Sequence, residues 1–415
     1  MRWRGLTAGL LLVAAAVACP AAGWSQAPAP AAEPGARLTV YLMTMGQGAR
    51  VWERFGHNAI YIHDPDSGTD QAYNYGLFDF AQDDFLLRFI QGRMWYWMAG
   101  YPAERYLQQY MRDNRSVWLQ ELEMPPAARL ELQRFMQWNE LPDNRFYFYD
   151  YYLDNCSTRV RDALDRFLGG RIRAQTEALP SGTTYRFHTE RLTANDPAIY
   201  TGLVLALGAG ADRPISVWEE MFLPLAMRER FRKITVPGPD GTPVPLVRSE
   251  RTLFQSTEPE PRPAPPKWLP AYLVIGAVLG GGALLLGRAA GRRGGARLGL
   301  AVLAGGWGLV AGVAGLILAG LWGLTDHEMA YRNENLFQVS PLALLLPALV
   351  PFWLRQRSAE AAGRLLAGTA AVLAGLSLLG LALQALPGFD QVNGSIVALA
   401  LPAHLGVAAA LARAR

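Results

Sequence analysis

Apolar positions follow two regimes along the chain. From residue 36 to 267 they come in short periodic stretches broken by polar and aromatic side chains. From residue 268 to 415 they merge into tracts of Leu, Ala, Gly and Val. The first regime predicts a soluble α+β domain, the second an α-helical membrane domain. Arg37–Met43 alternates and predicts a strand. His57–His63 and Gln71–Tyr75 predict two more, joined by the turn Asp64-Pro65-Asp66-Ser67-Gly68 as a hairpin-like pair. His57 and His63 are separated by an even number of residues, so on a regular strand they share a face. Phe80–Arg93 and Glu104–Arg112 predict helices and Val117–Leu122 a strand. A further helix opens at Pro125 and runs to Asn139, with proline in the first turn where its missing N–H costs little. The aromatic run Phe146–Tyr152 predicts extended chain that turns at Leu153-Asp154-Asn155. Helical spacing follows over Cys156–Leu168, with Val160, Ala163, Leu164, Phe167 and Leu168 on one face. Residues 169–213 read as loop-rich with one apolar stretch, Ile199–Leu207, and Val217–Phe231 as helix broken at Pro224. Val236–Val247 reads as turn-rich, with a hairpin around Pro239-Asp240-Gly241.

The second regime holds five apolar spans, at about 269–287, 298–324, 340–354, 365–386 and 395–412. The first, second and fourth are long enough for a bilayer core, which takes ~20 residues; the third and fifth are short. Arg288, Arg292, Arg293 and Arg297 follow the first span, Arg355, Arg357 and Arg364 the third, and Arg413 and Arg415 the fifth. The opposite loops carry Asp326, Glu328, Glu334 and Asp390, with only Arg332 against them. The arginine-rich loops are therefore expected in the cytoplasm. Met1 to about Ala27 reads as a secretory signal peptide: Arg2 and Arg4, an apolar Leu10–Ala18, and Ser25-Gln26-Ala27 as the cleavage site. A rival lipoprotein signal ending at Cys19 is weakened by Ala16 and Pro20. Both signals give one topology, a multi-pass protein of the inner membrane with its soluble domain in the periplasm. The domain plan is signal peptide 1–27, Pro/Ala tether 28–36, soluble domain 37–255, Pro-rich linker 256–267 and membrane domain 268–415.

The formal net charge of +4 raises the question of nucleic acid. No basic patch carries a recognition motif and much of the excess Arg flanks apolar spans, so nucleic acid is excluded as a partner. The two cysteines are Cys19, in the expected leader, and Cys156. A lone thiol in an oxidising compartment is either a reactive group or a buried small hydrophobe. Asn155 or Asp154 can cap the helix and put Cys156 in its first turn. Backbone N–H groups there favour an anion and lower a thiol pKa from about 8.5 into the range of roughly 3.5–7.5. His57 is the candidate base, and His63, Asn74 and Asp154 are candidates to orient it. Backbone N–H groups of the Asn155–Ser157 turn are candidates for an oxyanion hole. A second cluster, Thr325–Ser340, places His327, Glu328, Arg332, Asn333, Glu334 and Asn335 at the bilayer surface on the soluble-domain side. It is read as substrate-facing or as a polar connector. Met94-Trp95-Tyr96-Trp97-Met98 suits a membrane interface, a lipid-facing wall or core packing. His188 and His404 are weak candidates. No metal-ligand spacing, phosphate-binding glycine loop or serine nucleophile elbow occurs, so neither metal nor cofactor is expected.

Phe55-Gly56-His57-Asn58-Ala59-Ile60, Tyr73-Asn74-Tyr75-Gly76, Asp154-Asn155-Cys156-Ser157-Thr158-Arg159, Met221-Phe222-Leu223-Pro224, and His327 with Asn333 and Asn335 occur together. In this order they resemble the Lnb-type family of bacterial lipoprotein N-acyltransferases, over most of the chain after the tether. The order of histidine before cysteine is also similar to circularly permuted papain-like folds, the group of lecithin:retinol acyltransferase and NlpC/P60 relatives. The resemblance implies a Cys156 nucleophile, a His57 base and a contribution from the His327 loop. It implies transfer of an acyl chain from a phospholipid donor to the α-amino group of a lipoprotein's diacylglyceryl-cysteine. Two other readings remain at this point: a periplasmic Cys–His peptidase, amidase or lipid hydrolase, and a non-catalytic membrane-anchored binding module with an inert cysteine.

Overall fold

In the computed structural model the described residues are 33–355 and 359–414. The signal peptide, tether residues 28–32, Arg357 and Arg415 lie outside them. The N-terminal domain is built on a seven-stranded antiparallel sheet. Six strands are β1 (Thr39–Met45), β2 (His57–Asp64), β3 (Thr69–Leu77), β4 (Trp95–Pro102), β5 (Val117–Leu122) and β6 (Phe146–Phe148). The seventh, Val247–Phe254, lies on the far edge beside β5, and the order continues β5-β1-β2-β3-β4-β6. Residue alternation separates two cores. Val40, Leu42, Ile60, Ile62, Tyr73 and Tyr75 face one side, under helices α3 (Pro126–Asn139) and α4 (Cys156–Phe167). Met43, Met45, Ala59 and Ala72 face the other side, under α2 (Ala103–Arg112) with its Tyr106 and Tyr110.

Several expected elements differ in extent. The Phe80–Arg93 helix shortens to α1 (Phe85–Gln91). The Phe146–Tyr152 strand stops at Phe148 because Asp150 Oδ1 accepts from the N–H of Tyr152 (2.8 Å) and of Leu153 (2.7 Å), closing a side-chain-capped turn. Residues 169–213 are not loop-rich: they hold helices Arg171–Thr176, Tyr185–Thr193 and Pro197–Ala206. Thr184 and Asp196 cap the last two. These helices are too short for periodicity to announce them. Strand Val247–Phe254 went unrecognised because none of its residues is buried, which erases the alternation.

Among the described residues four helices are long and apolar enough to cross a membrane: Leu269–Ala290, Gly294–Leu324, Ala359–Leu383 and Gly394–Arg413. Glu328–Phe337 and Pro341–Leu354 are bent by 55° and give a fifth span if the pair is counted as one. Arg297 Nη2 donates to the Trp353 carbonyl at 2.6 Å, so this broken span ends level with the start of the second. Small residues let the helices approach closely. A Cβ on Gly406 would stand 2.2 Å from Gly280 Cα, so no other residue fits there between helices Leu269–Ala290 and Gly394–Arg413.

The α4 face that holds Cys156 in place is carried by Val160 and Leu164, both fully buried against β2 and β3. Leu164→Ala is expected to cost about 2–5 kcal/mol. Thermal unfolding of the detergent-solubilised protein measures it; an unchanged midpoint would contradict this account of the core.

Candidate active site

The N-terminus of α4 is fixed from three directions. Asn155 is its N-cap, in extended conformation, and its Oδ1 accepts from the N–H of Ser157 (2.8 Å) and Thr158 (2.9 Å). Thr158 Oγ1 accepts from the Asn155 N–H at 2.7 Å, which completes a reciprocal cap worth about 1 kcal/mol. Asn155 Nδ2 donates to the carbonyls of Tyr151 (2.9 Å) and Phe222 (3.1 Å). Ser157 Oγ donates to the Met221 carbonyl (2.7 Å) and accepts from Asn58 Nδ2 (3.0 Å), tying α4 to β2. Both side chains therefore act on the helix start, and neither orients an imidazole. Cys156 is the first helical residue.

His57 opens β2 on the α2 face, its ring stacked near-parallel to Tyr110 with centroids 6.4 Å apart. Its Nε2 lies 3.4 Å from Asn74 Oδ1. Asn74 is fully buried and its Nδ2 donates to the Ala72 carbonyl at 2.8 Å. That bond assigns the amide: only its oxygen faces the histidine, so Nε2 carries the proton and Nδ1 keeps the lone pair. Of the three orienters weighed from the sequence, the geometry selects Asn74. His63 lies at the other end of β2, roughly 20 Å along the strand. It is exposed and bonded to Asp70 at 2.7 Å. Asp154 is paired with Arg159.

Cys156 belongs to the opposite layer and reaches the same end of the sheet. The register Ala59↔Asn74 carries His57 toward Gly76, where β3 bulges. Gly76 has φ +86°, and a Cβ on it would stand 3.2 Å from Cys156 Cβ. The missing side chain leaves a gap through which the cysteine approaches. The backbone N–H groups of Asn58, next to His57, and of Ser157 act on the sulfur by favouring its anion. Among the described residues, sulfur and imidazole are not hydrogen-bonded to each other.

The electrostatics overturn the expected lowered thiol pKa. Burial pushes Cys156 up to about 11, and the N–H groups of Asn58 and Ser157 and the Arg115 charge only partly oppose it. Burial, then Arg115, lowers His57 to about 3, against the Asn74 bond. At neutral pH both groups are uncharged: a thiol, and an imidazole with a free lone pair. The helix start stabilises an anion, but removing sulfur from water costs more here.

Arg115 was missed by the sequence reading. It is buried, its Nε donates to the Gly46 carbonyl at 3.0 Å, and its guanidinium lies 4.7 Å over Tyr110. Its Nη2 is buried without a partner. Its charge acts on both His57 and Cys156. No periodicity marks such a residue, because a tight turn rather than a helix or strand face delivers it.

The second cluster is a docking loop. Asn333 Nδ2 donates to the carbonyls of Leu205 (2.9 Å) and Ala206 (3.0 Å), and Asn335 Nδ2 to Leu205 (3.0 Å). Both side chains are buried. They satisfy the open carbonyls at the end of helix Pro197–Ala206. His327 Nε2 donates to the Phe89 carbonyl at 3.0 Å, in α1. Met94, just before β4, and Tyr96 and Met98 on it are buried core. His188 sits in a buried network with Thr183 and Glu220, and His404 bonds Ser377 within the helical region. A cavity of about 330 Å³ between Gln71, Tyr73, Gln133 and Glu140 is lined by neither His57 nor Cys156.

Residues 31–191, which include β1 to β6, α4, His57 and Cys156, match the family model described as the Lnb N-terminal periplasmic domain. No curated protein and no solved structure matches the chain. The match supports the Lnb-type family, with the apolar helical region following it.

A thiol pKa of about 11 predicts the pH response of Cys156. In a Cys19→Ser background, alkylation by iodoacetamide is expected to accelerate roughly tenfold per pH unit between pH 7 and 9.5, with no plateau. A plateau reached below pH 8 would mean a thiolate already formed.

Proposed function

We propose that this chain, with its Lnb-type periplasmic domain and its multi-pass helical region, is a thiol-dependent acyltransferase at the periplasmic face of the inner membrane. The observation that supports it most is the Asn74-oriented imidazole, with Nδ1 unprotonated, at the sheet end where the α4 cysteine emerges. A helix-borne cysteine packed on an antiparallel sheet, with the histidine earlier in the chain, also favours the permuted papain-like reading.

In the first half-reaction His57 Nδ1 takes the thiol proton as Sγ attacks the ester carbonyl of a phospholipid. A neutral thiol needs this base in concert with attack. The N–H groups of Asn58 and Ser157, which favour the anionic form of the sulfur, would steady charge that develops beside it, and Arg115 adds a positive field. The acyl C–O bond breaks, His57 returns the proton to the glycerol oxygen, and lysophospholipid leaves a thioester on Cys156. In the second, the α-amine of a lipoprotein's diacylglyceryl-cysteine attacks the thioester, His57 accepts its proton and gives it to the departing sulfur, and an amide forms. The helical region keeps both lipid substrates at the level of the domain.

Cys156→Ala is expected to abolish N-acylation while the protein still inserts, and His57→Ala to slow it roughly 10²–10⁴-fold. The assay is complementation of a strain lacking lipoprotein N-acylation, with mass analysis of the lipoprotein N-terminus and of the Cys156 peptide. Full activity of Cys156→Ala, or a peptidyl instead of an acyl mass on Cys156, would end this reading.

A further inference from the structure

α1 and its flanks form an apolar projection that the proposed chemistry has not used. Leu86 is 69%, Leu87 52%, Phe89 42% and Ile90 53% exposed, and Phe80 and Trp52 extend the patch. A patch of this kind on a domain surface marks an interaction site. What it meets is indicated by where α1 is fastened. The Asp326 N–H donates to the Gln91 carbonyl at 2.8 Å, His327 Nε2 donates to the Phe89 carbonyl at 3.0 Å, and Arg93 pairs with Asp326 at 2.6 Å. Gly92 (φ +74°) allows the approach: a Cβ there would lie 2.9 Å from the Asp326 carbonyl carbon. Asp326 and His327 directly follow the second span, whose last residues Trp322 and Leu324 are themselves exposed. The projection is thus continuous with the apolar surface of the spans.

From α1 a line of rings runs inward. Phe85 and Phe78 lie 6.0 Å apart, Phe78 and Tyr96 5.0 Å, and Tyr96 and Tyr149 4.3 Å. Tyr149 borders the Gly76 gap, whose other wall is Cys156. We propose that the Phe78–Arg93 segment is immersed in the outer leaflet of the membrane, and that phospholipid acyl chains pass along Phe85, Phe78, Tyr96 and Tyr149 toward Cys156. Immersion stands on the fastening of α1 alone; the acyl path rests on the acyltransferase reading.

The two parts have separate tests. For immersion, a nitroxide is placed by Leu87→Cys in a Cys19→Ser, Cys156→Ser protein reconstituted in phospholipid vesicles, with Asp66→Cys as an aqueous control. Collision with oxygen and protection from a water-soluble nickel chelate are expected at Leu87, and the reverse at Asp66. Equal nickel accessibility at the two positions would overturn immersion. For the path, Leu86→Gln, Leu87→Gln and Ile90→Gln are combined in the otherwise native chain. Acyl-enzyme formation from vesicle phospholipid is expected to fall at least tenfold, while acylation by a soluble butyryl ester stays within twofold. Unchanged acylation from vesicles would overturn the path. A native protein acylated by neither donor would overturn the path together with the acyltransferase reading, leaving the nitroxide result to decide immersion.

Discussion

One amide orientation governs the candidate site. Asn74 is buried between β2 and β4, and its NH₂ group is committed to the Ala72 carbonyl. Only its oxygen is left for His57. A neutral imidazole has one proton, and this bond places it on Nε2. The ring is held against Tyr110 with its basic nitrogen free. Had the amide been reversed, the same residues would present an N–H instead of a lone pair, and the site would have no base. The sheet register that pairs Ala59 with Asn74 is what brings the amide into reach.

The membrane region and the sheet domain are joined by the same kind of bond, used for a different end. Asn333 and Asn335 close off carbonyls at the end of helix Pro197–Ala206, and Gln391 Nε2 adds a bond to the Leu207 carbonyl at 3.0 Å. Helix ends leave acceptors open, and buried acceptors require donors. This gives Asn333 and Asn335 a structural role in Thr325–Ser340. The polar loop is the mechanical link that sets the height of the sheet domain over the spans.

Much of this was legible in the chain. The periodic stretches gave α2, α3 and α4, because each has a buried and an exposed face, while β1 to β3 and β5, covered on both sides, stood out as short apolar runs between polar turns. Cys156 could be placed at a helix start because Asn155 is a strong capping residue and the apolar spacing begins just after it. The unreadable parts share a physical cause: they depend on contacts distant in sequence. Arg115 arrives from a turn far from Cys156, and the small helices of residues 169–213 are held by packing and capping rather than by their own periodicity. The pKa of Cys156 was misjudged for the same reason. A helix N-terminus is a local feature, whereas burial is set by Tyr96, Tyr147 and Tyr149 closing around it from β4 and the segment before α4.

That burial bears on which acceptor the site would serve under the proposed reaction. A sulfur that is neutral and enclosed is a poor nucleophile until a base and an ester carbonyl are both in place. It therefore spends little time exposed as a reactive anion to periplasmic oxidants. The same enclosure acts on the thioester. Under that reading water would have to cross the aromatic wall to hydrolyse it, while an amine delivered on a lipid anchor would arrive along the apolar side. Excluding water from a fixed polar constellation strengthens the field of the N–H groups and of Arg115 at the moment charge develops. Burial that raises the resting pKa of Cys156 would thus favour transfer over hydrolysis, so long as His57 Nδ1 remains free to take the proton.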